Sequence, residues 1–216
     1  MIISYQGIES FKVQFGDTVL AFNPVSKKSK FKAGSFGADV ALITNNHPDM
    51  NGSDQASRAE RQAFVISGPG EYEVQGVFVR GVPSKTKYGG DESINTIYSV
   101  NLEGMNLCFL GALGDGELSS EAKEALDGID ILFVPIGGDG VLAPSEAYKL
   151  SVSLEPSIII PMHFSVDNGA GVGEKDSLKK FLKEAGAEDT KPLDKLTIKK
   201  KDLEGKEAEV VVLGSE

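Results

Sequence analysis

The stretch Val40-Ala41-Leu42-Ile43-Thr44-Asn45-Asn46-His47-Pro48-Asp49-Met50-Asn51-Gly52 decides how the rest of the chain is read. Its first half is short, continuous and apolar, with β-branched residues, as in a strand buried on both faces of a parallel sheet. Its second half is a polar loop leaving that strand's C-terminal end, where open α/β sheets place their chemistry. The chain has only two histidines. One is His47; the other, His163, stands just past the apolar run of Ser157–Pro161 and Met162. Two histidines at two strand ends suggest one shared pocket.

Toward the N-terminus, strands are expected at Ile2–Tyr5, Ser10–Phe15 and Thr18–Phe22. Gly16-Asp17 turns the last two into a meander. Ser26 to Phe36, with Lys27, Lys28, Lys30 and Lys32, reads as a solvated loop; a basic rim for an anion is the second reading. Beyond the central stretch, Ser53 to Arg61 suits a short helix or turn, Phe64-Val65-Ile66 a strand, and Gly68-Pro69-Gly70-Glu71 a turn. Val74, Val77, Phe78 and Val79 mark another strand or a bent pair around Gly76. Pro83 to Ser93 is polar and glycine-containing, hence a loop. Ile94–Leu102 and Met105–Leu110 form a hairpin about Glu103-Gly104. The period then changes. Ser119 or Ser120 caps a helix through Leu126, Ile129–Pro135 is a strand, and Pro144 opens a helix to Leu154. The loop Gly137-Gly138-Asp139-Gly140 lacks phosphate-loop spacing. Gly169 to Gly173 reads as a flexible loop, Lys175 to Ala185 as an amphipathic helix. Leu196–Ile198 and Val210–Leu213 read as strands. A strand-rich first half followed by alternating helix and strand suits two sheets packed face to face with helices outside, in a single domain over residues 1–216.

The chain has 216 residues and 22 basic against 32 acidic side chains, a net charge of −10. An acidic surface disfavours nucleic acid and anionic membranes as partners, which leaves a small molecule or a protein. Cys108, the single cysteine, lies in an apolar run and reads as a small buried hydrophobe rather than a nucleophile. The start lacks a basic leader and no apolar run reaches membrane-spanning length, so a cytoplasmic protein is expected.

The central stretch resembles the metal-binding signature Thr-His-x-His-x-Asp-His of the metallo-β-lactamase superfamily. Thr44, His47 and Asp49 match, while Asn45 and Met50 stand where histidines belong. The resemblance runs from Met1 to about Phe164. It includes Asn23-Pro24 for the family's Asp-Pro, His163 for its late histidine, and Cys108 to Gly114 for the loop of its bridging aspartate, with Ala112 in the aspartate's place. Gly-Pro-Gly-Glu-Tyr at Gly68–Tyr72 is similar to a sequence of the compact branch named for metal-dependent hydrolases. The resemblance implies a four-layer αββα sandwich, of α/β (α+β) type. It implies His47, Asp49 and His163 as the remaining metal ligands, with zinc as the metal, and it identifies no catalytic residue.

Asparagine oxygen and methionine sulfur are poor zinc partners beside imidazole and carboxylate. Complete structural zinc sites are worth on the order of 10–16 kcal/mol and depend on the full ligand set. The expectation is therefore no metal, or one weakly bound divalent ion, with Asp115 as a replacement carboxylate. The resemblance also places the third ligand of the first metal near Ser84 or Lys85. Without metal charge, Asp49 needs another cation, and Lys85, or failing that Lys87, is expected to pair with it. Against this stands a purely structural reading: Asp49 caps a helix near Asn51 or Gly52, His47 bonds a backbone carbonyl, and His163 packs on the sheet. Two functions remain. One is a pseudoenzyme that binds a small anionic ligand or a protein. The other is a hydrolase of an ester, lactone, amide or phosphodiester using a single metal. Strands ending at Ile43-Thr44 and Ile160-Pro161 are expected to be neighbours.

Overall fold

Four phenylalanines meet at the centre of the molecule, Phe11 and Phe22 from one β-sheet and Phe109 and Phe133 from another. Their ring centroids lie 4.9 Å apart for Phe11 and Phe133, and 4.8 Å for Phe22 and Phe109. Within each sheet the two are cross-strand partners, so the quartet pins both the register and the stacking of the sheets. The computed structural model describes residues 1–32, 34–165 and 172–215. In chain order its strands begin with β1 (Ile2–Gly7), β2 (Ser10–Phe15), β3 (Thr18–Phe22), β4 (Val40–Leu42), β5 (Phe64–Ile66), β6 (Gly70–Val74) and β7 (Val77–Thr86). They continue with β8 (Ser93–Leu102), β9 (Met105–Phe109), β10 (Ile131–Pro135), β11 (Ile158–Met162), β12 (Leu196–Thr197) and β13 (Glu209–Val210). The helices are α1 (Ser120–Ala125), α2 (Pro144–Ser153) and α3 (Ser177–Glu184). None of the described helices is long and apolar enough to cross a membrane.

The first sheet runs β12-β1-β2-β3-β4-β5 and the second β13-β11-β10-β9-β8-β7-β6. This is the αββα sandwich in layout, with unequal outer layers. Along β3 and β4, Leu20, Phe22, Val40 and Leu42 face the central core while Val19, Ala21 and Ala41 face outward. On that outer face they pack with Phe36, Ala38, Ala56 and Ala63, around the 3₁₀ turn at Ser53–Gln55. Small side chains suit so thin a cover. On the second sheet α2 contacts β10 and packs on α3, and α1 contacts β7. Ser119 caps α1 by accepting a hydrogen bond from the Ala122 N–H at 3.1 Å.

The short helix or turn expected over Ser53 to Arg61 is the 3₁₀ turn at Ser53–Gln55. Three expectations need correction. Glu71 lies within β6 rather than in a turn. The loop expected over Pro83 to Ser93 is shorter than that, because β7 continues to Thr86 and β8 starts at Ser93. Pro83 pairs with Thr96, whose N–H turns away from β7 to the Thr44 carbonyl at 2.8 Å. Pro83's nitrogen therefore points away from β8, to the side where β6 has already ended, and its missing N–H costs no ladder bond. Finally, the strands before His47 and His163 are not neighbours: β4 belongs to the first sheet and β11 to the second. Of the loop expected over Gly169 to Gly173, residues 169–171 lie outside the described residues.

Candidate functional site

The chain segments leaving β3, β4, β9, β10 and β11 emerge at one end of the phenylalanine core, and a buried polar chain is built there. The turn between β1 and β2 places Ile8, at φ 58°, and Glu9 beneath the end of β11. Ile8's carbonyl accepts the His163 backbone N–H at 2.6 Å and the Tyr5 hydroxyl at 2.8 Å. That grip holds His163 in the left-handed region at φ 58°, uncommon for non-glycine residues though better tolerated by histidine than by most. Gly137 makes room for it, since a Cβ there would stand 2.3 Å from the His163 carbonyl oxygen.

Glu9 is fully buried and lies 2.6 Å from His163 Nδ1. Its other oxygen accepts from the Asn23 side-chain amide at 2.9 Å, and that amide also reaches Thr44 Oγ1 at 2.8 Å. One proton is shared between the Glu9 carboxyl and His163 Nδ1. His163 Nε2 is buried and has no hydrogen-bond partner among the described residues.

Asp49 forms the second group. It is buried, with Oδ1 accepting from Ser29 Oγ at 2.5 Å and Oδ2 from the Tyr88 hydroxyl at 2.6 Å. His47 stands beside it, with Nδ1 3.5 Å from Asp49 Oδ2 and accepting the Asp49 backbone N–H at 3.3 Å. The His47 side chain is 32% exposed. Tyr88 joins the two groups. Its ring makes edge contacts with both imidazoles, at 4.9 Å from His47 and 4.8 Å from His163. Burial first, then the hydrogen bond to Asp49, pushes the phenol well above its ordinary range, so it remains a proton donor.

His47, Asp49 and His163 are thus gathered around one side chain, Tyr88, whose ring contacts both histidines and whose hydroxyl bonds Asp49. The reading in which Asp49 caps a helix is corrected, because its oxygens are taken by Ser29 and Tyr88. Met50 and Ala112 are buried together with Val141 against Tyr88. Asn45 ties its loop to the β7–β8 tip: its amide donates to Ser93 Oγ at 2.9 Å and the Ile94 carbonyl at 2.7 Å, and its oxygen accepts the His47 N–H. Lys85 does not enter the pocket; its ammonium pairs with Glu92 at 2.7 Å in solvent. Lys87 is exposed too. Strong hydroxyl donors on both Asp49 oxygens take the place expected of a cation. Asp115 is exposed and accepts from the Glu117 N–H, away from the pocket. Glu9, Ser29 and Tyr88 are the site residues that the sequence did not disclose.

Residues 2–163 match the profile of the beta-lactamase superfamily domain. The chain belongs to the metallo-β-lactamase superfamily. Among its superfamily relatives, a UPF0173 metal-dependent hydrolase of Thermococcus kodakarensis is 27% identical over 73% of this chain and 80% of its own. Another, from Bacillus licheniformis, is 26% identical over 76% of this chain and 86% of its own. The crystal structure of a superfamily protein from Thermotoga maritima, named for zinc-dependent hydrolysis, superposes with a TM-score of 0.75 at 27% identity, covering 100% of this chain and 99% of that one.

Superfamily membership implies a metal between the motif loop and the late histidine. A zinc ion needs three or four donors converging on it. Among the described residues no three His, Cys, Asp or Glu side chains gather in that way. They stand instead as two pairs, His47 with Asp49 and His163 with Glu9, and the Tyr88 ring lies between the two histidines. In this arrangement the donors do not fit a metal ion.

Proposed function

We propose that this chain is a non-catalytic member of the superfamily that keeps the sandwich to bind a small anionic ligand or a protein partner at the Tyr88 end. The observation that carries the reading is the Tyr88 ring between His47 and His163 with its hydroxyl on Asp49. The charges that act on its phenol are those of the Asp49, Glu9 and Asp139 carboxylates, and lysines lie close in sequence to the residues that hold the ring. Lys28 and Lys30 flank Ser29, and Lys87 precedes Tyr88, all exposed, in a chain whose net charge is −10. Such a rim gathers anions against the field of the whole surface.

The test is metal content and turnover together. Protein purified without a metal-affinity step is expected to hold only traces of metal by plasma mass spectrometry. With zinc added, it is expected to leave model esters, lactones, amides and phosphodiesters at their uncatalysed rates. Pyrophosphate, as a simple anionic probe, is expected to raise the melting temperature of the wild type more than that of a Lys28→Ala, Lys30→Ala variant. The second reading, a hydrolase using one weakly held divalent metal on His47, Asp49 and His163, is favoured by one feature. His163 Nε2 is buried without a partner among the described residues while Glu9 holds Nδ1, as a carboxylate does behind a metal-bound imidazole. Near-stoichiometric metal with measurable turnover would establish that reading and remove the first.

A further inference from the structure

We infer that Tyr88 is the residue that excludes divalent metal from this pocket, by holding apart two half-sites that would otherwise close on an ion. The inference rests on the non-catalytic reading and names the side chain responsible for it. Each half-site has two donors, His47 with Asp49 and His163 with Glu9, and neither alone is enough for a stable ion. The phenol ring contacts both imidazoles edge-on, so it occupies the space between them. Its hydroxyl donates to Asp49 Oδ2 and presents the positive end of a dipole there in place of a cation.

The backbone delivers the ring there. Lys87 N–H bonds the Gly140 carbonyl at 3.1 Å and Tyr88 N–H bonds Thr86 Oγ1 at 3.0 Å, which anchors the tip of the β7–β8 hairpin. Behind the ring lie Met50, Ala112 and Val141, an apolar wall that favours a ring over a hydrated ion. What the ring leaves unsatisfied is His163 Nε2, buried and without a partner among the described residues. A tyrosine with only a packing role would, when removed, lower stability without creating metal affinity.

Zinc titration calorimetry on the intact chain separates the two. Wild type and Tyr88→Phe are expected to bind zinc equally poorly, since the ring remains in both. Tyr88→Ala is expected to gain at least about tenfold in zinc affinity as the two half-sites meet. Adding His163→Ala to Tyr88→Ala is expected to cancel that gain. Tyr88→His, which puts an imidazole into the same volume, is expected to gain at least as much. It carries the test if the alanine variant is too unstable to titrate. Folded Tyr88→Ala and Tyr88→His proteins with wild-type zinc affinity would overturn the inference while leaving the non-catalytic reading in place. Wild-type protein that already holds stoichiometric zinc would overturn both.

Discussion

Glu9 is a carboxylate with no exposed surface, in a turn between two strands, and such a group survives burial only if its oxygens are taken. They are, by His163 and by Asn23. Glu9→Ala would leave the His163 Nδ1 buried without its partner and take one of the two acceptors of the Asn23 amide, and is expected to lower stability by about 3–5 kcal/mol. Denaturant unfolding measures it; a loss below about 1 kcal/mol would mean that water replaces the carboxylate. Glu9→Gln keeps one acceptor and is expected to lose less. Legibility differs sharply among these side chains. His47, Asp49 and His163 follow apolar runs, and a sequence shows strand ends well. Glu9, Ser29 and Tyr88 sit in turns and loops of ordinary polar composition, where nothing local separates a solvated residue from one folded inward. Lys85 shows the converse: charge balance called for a cation at Asp49, and two neutral hydroxyls meet the same need.

At the scale of elements, the β7–β8 hairpin is where pattern reading failed and where the site is assembled. Proline, glycines and charges at 83–92 have the composition of a loop, yet pairing continues as far as Thr86 because Pro83's nitrogen falls on the unpaired side of β7. Proline is compatible with a strand wherever the neighbouring strand has ended, and composition carries no record of where a neighbour ends. The hairpin tip is fastened to the motif loop by Asn45, through Ser93 and Ile94. Asn45→Ala is therefore expected to cost about 1–3 kcal/mol, as the Ile94 carbonyl loses its donor. Amide hydrogen exchange is expected to quicken between Lys87 and Glu92 while the β9–β10 amides keep their relative protection. Uniform acceleration across both regions would mean that the tip is not an independent unit.

The sandwich as a whole was legible, because alternation along β2, β3 and β8 and the continuous apolar runs of β10 and β11 each report how many faces are buried. Which sheet a strand joins is not a local property, and β4 and β11 accordingly ended in different sheets while still bringing His47 and His163 against Tyr88. The same deep core sets the response to alkali. Tyr5, Tyr98 and Cys108 are buried, and burial is the leading cause that pushes each of them upward, from ordinary values of 10.0 for the phenols and 9.0 for the thiol. A group whose folded value is raised keeps its proton in the folded chain after the unfolded chain has released it. Its contribution is therefore whole below the ordinary value and is lost as pH rises toward the folded one. Stability is expected to start falling once pH passes the thiol's ordinary value and to steepen past that of the phenols, each group adding about 1.4 kcal/mol per pH unit. Urea unfolding at a series of alkaline pH values measures the slope. A variant carrying Tyr5→Phe, Tyr98→Phe and Cys108→Ala starts less stable, since Tyr98 loses its bond to the Ile43 carbonyl at 2.8 Å, and is expected to decline more gently. Parallel declines in wild type and variant would place the alkaline sensitivity on surface charge rather than on the core.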